Sequence, residues 1–464
     1  MKNIILKLFL LIYLSLIKYV FCDGSASVEI VCNGEKIDQL LDDFLVTSNT
    51  RNGENCEITI SEGNISFPVA GTILKKNTPY YALRDISNKY VIKGQGRDKT
   101  FFECPDSNKK TIFLISESKG DIIFKDLAFR NCGTKNKYMA AIKIERGSSI
   151  KFENCEFYDM KIPAVIATTS TIEFDNIYVH DILYDSFNIT NSGELDKGII
   201  NIEKDSHVTI KNSKLYGCPE ECKNYNLYVN EGVNLDIENC EFKNAAGGIY
   251  IYTIQTCTIK NSVFRDHDMA LIDKESSKYA SINLTPGAMY GGAIYASNAR
   301  ILNATNTEFI NNAVIEQGGA IYMSLYADSA YISFDNVTLK DNFSFSEGRD
   351  LIVNGDNVQV SLNNIKLTGG KDPRWHDDIK PSFMFLSKIQ VNFTDISVYD
   401  FYSNGTIINI EQATGSIINN FNIENSVFDG ILESQCNIDI KNLKIKNSIS
   451  QGDMLIKNHY LLLI

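Results

Sequence analysis

The chain has 464 residues, 44% of them hydrophobic, with 25 Phe and 23 Tyr but a single Trp, which is enough apolar material for a long core. Its formal net charge is −12, and the charges are dispersed without a basic run. That balance excludes a nucleic-acid surface or an anionic membrane as partner, and it repels a polyanionic polymer unless cations bridge the two.

The first 22 residues read as a secretory signal. Lys2 and Lys7 precede an apolar run over residues 8–17 that only Ser15 interrupts, and Lys18 ends it too early for a membrane span. Cleavage is expected near Cys22 or Ser25, which puts the mature chain outside the cell, secreted or at the cell surface, with no span left in a membrane.

Residues 23–90 are expected to form an N-terminal cap and the first coils. Ile37, Leu40, Leu41, Phe44 and Leu45 share one face at helical spacing, so residues 35–46 predict a short capping α-helix. Residues 57–67 alternate like a strand. Of 11 cysteines, loss of Cys22 leaves an even ten, as suits an oxidising compartment. Cys32 with Cys56, Cys218 with Cys222, and Cys240 with Cys257 are candidate disulfide pairs by proximity; the connectivity stays open. No Cys/His spacing suggests zinc, and no metal site is expected.

Residues 91–464 carry a repeat. Residues 91–102 hold Gly94-x-Gly96 and Thr100, but they lack the Gly-Lys-Ser/Thr ending of a phosphate loop and no helical pattern follows; the segment predicts a sharp turn between strands. From residue 121 to 447 one pattern recurs twelve times: apolar, gap, apolar, gap, Asn or Asp, two gaps, apolar, gap, then Asn, Asp or Gly. It reads Ile150-Lys-Phe152-Glu-Asn154-Cys-Glu-Phe157-Tyr-Asp159 and recurs around Asn239 and Asn336. The central residues are Asp126, Asn154, Asn176, Asn212, Asn239, Asn261, Asn306, Asn336, Asn364, Asp395, Asn425 and Asn442, spaced 17 to 45 apart with a median of 28. Period-two alternation is a strand with one buried face. A further strand signal precedes many of the central residues, at 141–144, 248–251, 292–295, 319–322 and 351–353. Three short strands per unit with variable loops describe one rung of a parallel β-helix. The recurring Asn is expected at a turn, in a ladder, because Asn tolerates left-handed backbone and carries both a donor and an acceptor.

The rhythm breaks at residues 181–197, 218–224, 267–289 and 369–381. Loops leaving a rigid scaffold are where function concentrates. Residues 454–456 read as the first strand of one more rung. The apolar tail after it either folds over the open end or marks a truncated gene model.

Taken together, the residue 35–46 helix, the alternating strand, the Gly94-x-Gly96-x-x-x-Thr100 turn and the Asn-bearing rungs resemble the pectate-lyase-like family of right-handed parallel β-helices, over about 400 residues. The segments Gly291-Gly-Ala-Ile294 with Phe309-x-x-Asn312, and Gly318-Gly-Ala-Ile321, also resemble the repeats of chlamydial polymorphic outer-membrane proteins, which are surface adhesins. The first resemblance implies an all-β, single-stranded, right-handed parallel β-helix. It carries no catalytic residue over. The Asn-Thr-Asp, paired-Asp, His-Gly and Arg-Ile-Lys series of polygalacturonases is absent, as are the Gln-Asp-Thr and Asp-Phe-Ile-Phe-Gly motifs of pectin methylesterases. Trp-Ile-Asp-His is absent too.

Two constellations remain as candidate ligand-binding residues. Asp266, His267 and Asp268 place an imidazole between two carboxylates, with alternation pointing the carboxylates one way and the imidazole the other. Arg374, Trp375, His376, Asp377 and Asp378 put the only Trp among charges in a loop, where its face suits a sugar ring. Asn-x-Ser/Thr acceptors occur at Asn64, Asn188, Asn283, Asn303, Asn342, Asn392 and Asn404; an eighth, Asn336, falls on the ladder and is expected to be shielded. The expectation is therefore a secreted or cell-surface rod, non-catalytic and adhesin-like, that binds a polysaccharide, a surface glycoprotein or another protein partner. The alternative is a polysaccharide lyase, hydrolase or epimerase whose residues lie across rungs. No cofactor is expected, with calcium entering only under the lyase alternative. An outer face of Ser, Thr, Asn and Tyr favours binding; a groove of acids and bases on one sheet favours the enzyme.

Overall fold

The computed structural model describes residues 18–22, 25–30, 55–66, 81–103, 111–133, 140–183, 198–218, 224–268, 290–314, 316–325, 329–344, 348–369, 382–403, 405–413, 415–452 and 456–458. They divide between two compact units, Met1–Tyr184 with Ile199–Lys214, and Asp185–Gly198 with Leu215–Ile464. All named elements among the described residues are strands. The expected capping helix at 35–46 lies outside them. Lys18–Cys22 runs antiparallel to Ser25–Ile30, which pairs in parallel with Asn55–Ile60.

In the first unit, each rung has a short strand followed by a long bent one. Ile142–Glu145 lies between Phe113–Ser116 and Val165–Thr168, parallel to both. Ser149–Tyr158 lies between Asp121–Arg130 and Thr171–Asp175, again in parallel. Ile150, Phe152, Cys155 and Phe157 of this strand are buried, with Glu153 and Asn154 consecutive outside the core. Strict alternation would send Cys155 and Phe157 outward. Asn154 prevents this by taking left-handed backbone, φ 53°, so the strand turns a corner and resumes alternation with its apolar residues still inward. Asp126, Asn176 and Asn212 do the same at φ 54°, 55° and 51°. Phe124, Phe152 and Phe174 then stack at 5.4 and 5.2 Å, and Phe102, Phe129 and Phe157 at 5.2 and 5.0 Å. Offset aromatic pairs at such distances contribute about 0.5–1.5 kcal/mol each beyond burial.

The second unit repeats this plan. Ala299–Ile310, Ala330–Lys340, Val358–Gly369 and Phe383–Phe401 pair in parallel, each with the next. At their corners Asn306 donates to Asn261 Oδ1 at 3.0 Å, Asn336 to Asn306 at 2.7 Å and Asn364 to Asn336 at 3.0 Å. In the first unit Asn154 donates to Asp126 and Asn176 to Asn154, at 2.7 and 3.2 Å, whereas Asn212 donates to Asp175 at 2.9 Å. Asn239 takes the same corner geometry, φ 55°. One repeat frame shifts. Asn420 fills the corner between Asp395 and Asn442, accepting from Asn442 and donating to Asp395 at 2.9 and 2.8 Å. Asn425 sits at a second left-handed corner, where Asp159, Asn244, Asn311, Asp341, Asp400 and Asn447 also lie, all with φ near 50°. Both corners accept Asn or Asp for the same backbone reason; residues 421–430 fit the full pattern around Asn425, whereas the Asn420 frame has Ser416 at its first apolar position.

The two adjacent motifs around Gly291 and Phe309 have a packing explanation. Phe309 belongs to the aromatic stack, 5.3 Å from Phe264. Asn312 is fully buried and donates to Phe264 O at 3.1 Å and to Asn342 Oδ1 at 3.0 Å. A Cβ on Gly292 would stand 2.4 Å from Gly319 O, so a larger residue there would displace this interior ladder.

Candidate functional site

Register across rungs assembles the outer face of the second unit. Thr256, Ile301, Tyr331 and Gln359 form one column; Thr258, Asn303, Ser333, Ser361 and Asn392 form the next; Lys260, Thr305, Asp335, Asn363 and Thr394 form the third. Neighbouring rungs lie about 4.8 Å apart, so each column is a row of closely spaced polar groups. Some bond along the column, as Asn363 does to Asp335 Oδ1 at 2.6 Å. At one edge lies a groove of about 430 Å³ lined by Gln255, Thr256, Arg300, Ile301, Tyr331 and Gln359, with Ser329, Ala330 and Asn357 closing it. Tyr331 is 44% and Ile301 36% exposed, which is unusual for large apolar surfaces in adjacent rungs. Arg300 makes no ion pair among the described residues.

The corresponding face of the first unit is ionic. Lys125 pairs with Glu153, Lys151 stands 3.6 Å from Glu153 and 3.5 Å from Glu173, and Lys211 3.9 Å from Glu173. Beyond the corner, His180 Nδ1 lies 2.6 Å from Asp181 Oδ2 and Nε2 3.0 Å from Glu156 Oε1. Carboxylates only accept, so both contacts suit a ring that donates from each nitrogen, the protonated form. Burial alone would lower the His180 pKa; the two carboxylates more than reverse this and raise it. Tyr178 and Tyr158 stack on the ring at 4.1 and 5.3 Å. Arg130 extends the cluster to Tyr158 Oη at 3.0 Å and Glu103 at 3.2 Å. Most of these groups are occupied by their neighbours, Arg130 Nε excepted.

The structure separates the Asp266, His267 and Asp268 trio. His267 is fully buried and accepts from Ala245 N–H at 3.4 Å; burial pushes its pKa down to about 3. Asp266 turns outward, 3.2 Å from Arg265 and accepting from Asn311 at 2.9 Å. Asp268 forms a backbone bridge to Ala313. The three therefore do not converge on one point, because a left-handed corner at Asp266, φ 57°, aims its neighbour into the core. Arg374, Trp375, His376, Asp377 and Asp378 lie outside the described residues. Among the described residues no group of three or more His, Cys, Asp or Glu side chains could hold a metal ion. No helix there is long and apolar enough to cross a membrane.

The candidate modification sites differ in access. Asn64 is exposed, accepting from Arg130 at 3.0 Å, and Asn392 is exposed on the polar face; Asn303, in the same column with Ser333 and Ser361 between, is half-buried. Asn342 is 1% exposed, with its Nδ2 committed to Phe309 O and Asp350 Oδ1 at 3.1 and 3.0 Å, so a glycan there is incompatible with this core. Asn188, Asn283 and Asn404 lie outside the described residues.

Cys218, Cys240 and Cys257 carry thiols and form no disulfide, as do Cys155 and Cys436. This corrects the expected pairings of Cys240 with Cys257 and of Cys218 with Cys222. Cys240 and Cys257 occupy different columns: Cys257 packs in register between Leu235 and Leu302, whereas Cys240 follows a corner Asn and bonds Glu238 O at 3.2 Å. Ser262 occupies the equivalent place one rung on, bonding Lys260 O at 2.7 Å. Cysteine thus serves there as a small interior donor. Cys222 and Cys32 lie outside the described residues. Native-state alkylation should reach Cys218 and Cys436, which are half-buried. It should spare Cys155 and Cys257, whose thiols burial pushes up to about 12, and Cys240. Peptide mass mapping before and after denaturation checks this; early labelling of the three buried thiols would refute their placement.

Sequence reasoning passed over the groove because its residues come from four rungs separated by loops of unequal length. A usable signal exists: Thr256, Ile301, Tyr331 and Gln359 each lie five positions before a corner Asn, at 261, 306, 336 and 364.

Residues 198–371 match the family model described as a right handed beta helix region. No curated protein matches the chain in sequence. Among solved structures, the surface adhesin PfbA of Streptococcus pneumoniae aligns at TM-score 0.49 and 13% identity, covering 87% of this chain and 90% of that one. The catalytic domain of a GH87 alpha-1,3-glucanase in complex with nigerose aligns at 0.45 and 13%, covering 95% and 70%. The A-module of the Azotobacter vinelandii mannuronan C-5 epimerase AlgE6 aligns at 0.40 and 10%, covering 89% and 94%. Parallel rungs in both units and the sequence match over residues 198–371 agree: the fold is an all-β, right-handed parallel β-helix.

Proposed function

We propose that the protein is a non-catalytic β-helix, secreted or held at the cell surface, that binds glycans or partner proteins through the outer face of its second unit. The observation that carries this reading is the composition of that face. Over the rungs from residue 256 to 394 its columns are mostly Thr, Ser, Asn and Gln with an exposed Ile and Tyr, and Lys260 and Asp335 are the only charged residues among those fourteen; the columns become charged only beyond them, at Asp236 and Glu238 on one side and Asp439 and Lys441 on the other. Such a surface offers many hydroxyl and amide hydrogen bonds and no acid–base pair poised to move a proton. The ionic face of the first unit supports the second reading, a polysaccharide lyase, hydrolase or epimerase, since it places several acids and bases on one sheet. Its charges are largely compensated by one another, which favours a structural role.

The test is incubation of the chain from Asp23 onward with plant and microbial polysaccharides, with and without calcium, reading both retention and released chain ends. Retention without release is expected. Release of new ends from one polymer, lost in Glu153→Gln or Glu173→Gln, would overturn the binding reading in favour of the enzyme.

A further inference from the structure

We propose that the groove at Tyr331 and Arg300 binds a sugar ring bearing one anionic group within an otherwise neutral glycan. This rests on the binding reading above and names its site and ligand class. The groove combines two kinds of surface. Ile301 and Tyr331 are in register one rung apart and exposed by 36% and 44%. Together they make an apolar strip on which the C–H face of a sugar ring can lie. Gln255, Asn357 and Gln359 border it and supply amide donors and acceptors for ring hydroxyls. The volume, about 430 Å³, is within the range of small-molecule sites.

Charge selects the ligand further. Arg300 is exposed, lies in the groove and has no ion-pair partner among the described residues. Lys260, Lys340 and Lys366 on these rungs likewise have no ion-pair partner among the described residues, but Arg300 is the cation that lines the groove. An uncompensated guanidinium beside an aromatic strip suits a carboxylate, sulfate or phosphate on a bound sugar. The net charge of −12 sets the opposite limit, because a densely charged polymer is repelled over the whole surface. One cation in the groove and a negative field around it together favour an isolated anionic group.

The experiment is ligand-observed NMR titration of the full chain with lactose and with 3′-sialyllactose, which adds one carboxylated sugar. The wild type is expected to bind 3′-sialyllactose roughly three- to tenfold more tightly than lactose at low salt, with the preference shrinking as salt rises. Arg300→Gln should abolish the preference, read as the ratio of the two affinities in the variant falling to about one. Tyr331→Ala should weaken both sugars about fivefold or more. Replacing 3′-sialyllactose by a singly sulfated lactose separates a carboxylate requirement from a general anion requirement; either result supports the site if Arg300→Gln removes the preference. Equal binding of lactose and 3′-sialyllactose by the wild type, or a preference that survives Arg300→Gln, overturns the assignment. If polysaccharide retention persists in both variants, the groove is refuted while the binding reading stands. If the chain retains no glycan and no protein partner at all, both fall.

Discussion

Arg349→Ala is expected to destabilise the second unit by about 3–5 kcal/mol, the usual cost of breaking a buried charge pair. Arg349 and Asp350 are 2% and 0% exposed. They stand where the neighbouring rungs have Gly319-Ala320 and Gly292-Ala293, in register at Ala320 with Asp350 and Leu351 with Ile321. The guanidinium donates from Nε to Asn342 O at 3.0 Å and from Nη1 to Tyr402 O at 2.8 Å, and lies 4.6 Å over the Phe401 ring. Asp350 accepts from Asn342 Nδ2 at 3.0 Å, with its other oxygen 3.9 Å from Arg349 Nε. Removing Arg349 strands two carbonyls and leaves a buried carboxylate without its cation. The double change Arg349→Gly with Asp350→Ala restores the local repeat and removes the stranded charge, so it should cost less than Arg349→Ala alone. Urea unfolding, with hydrogen exchange over residues 342–355 to localise the effect, measures this. A loss below about 1 kcal/mol for Arg349→Ala would show that the network does not hold these rungs together.

His267→Asn should stabilise the second unit in acid, by about 2 kcal/mol at pH 5, and much less at pH 8. The sign follows from burial. The folded His267 stays neutral down to about pH 3, whereas an unfolded histidine takes a proton below about 6.5. Between these values the unfolded state binds more protons, so stability is lost as pH falls. Asparagine does not titrate. It would also bring the rung into line with Asn312, which one rung on donates to Phe264 O and accepts from the His267 amide at 3.1 and 3.4 Å. Asp350 works the other way. Burial, the largest influence, raises its pKa to about 6, so the folded state binds the extra proton between about 4 and 6 and gains stability as pH falls through that window. The single variant His267→Asn should therefore shift the acid transition downward, and adding Asp350→Asn should remove the compensating gain. Thermal melts from pH 4 to pH 8 check both. An acid transition unmoved by His267→Asn would place the critical proton elsewhere.

Much of this architecture was legible in the sequence because each rung announces itself locally. Two-residue alternation around Ile150, Phe152 and Phe157 names the inward face, and the central Asn marks a corner where a left-handed residue is required. These are short-range consequences of sterics and of the pleat, and twelve repetitions reinforce them. The shifted frame at Asn420 and Asn425 shows the limit: both corners take Asn for the same reason, and only strand pairing decides which corner a given Asn turns. The cysteines illustrate the same boundary. Sequence proximity suggested Cys240 with Cys257, but the columns they occupy depend on where the coil bends.

What the chain by itself determined is the repeating unit: apolar residues at fixed offsets from Asn or Asp, and hence a parallel coil. What tertiary structure alone decided is which residues of different rungs become neighbours. His267 turned inward and Asp266 outward, Arg349 reached the Tyr402 carbonyl 53 residues on, and Gln255, Arg300, Tyr331 and Gln359 met in one groove. The reason is physical. Local sequence sets backbone conformation residue by residue, whereas a column of side chains exists only after interstrand hydrogen bonds fix the register between rungs that are 22 to 45 residues apart along the chain.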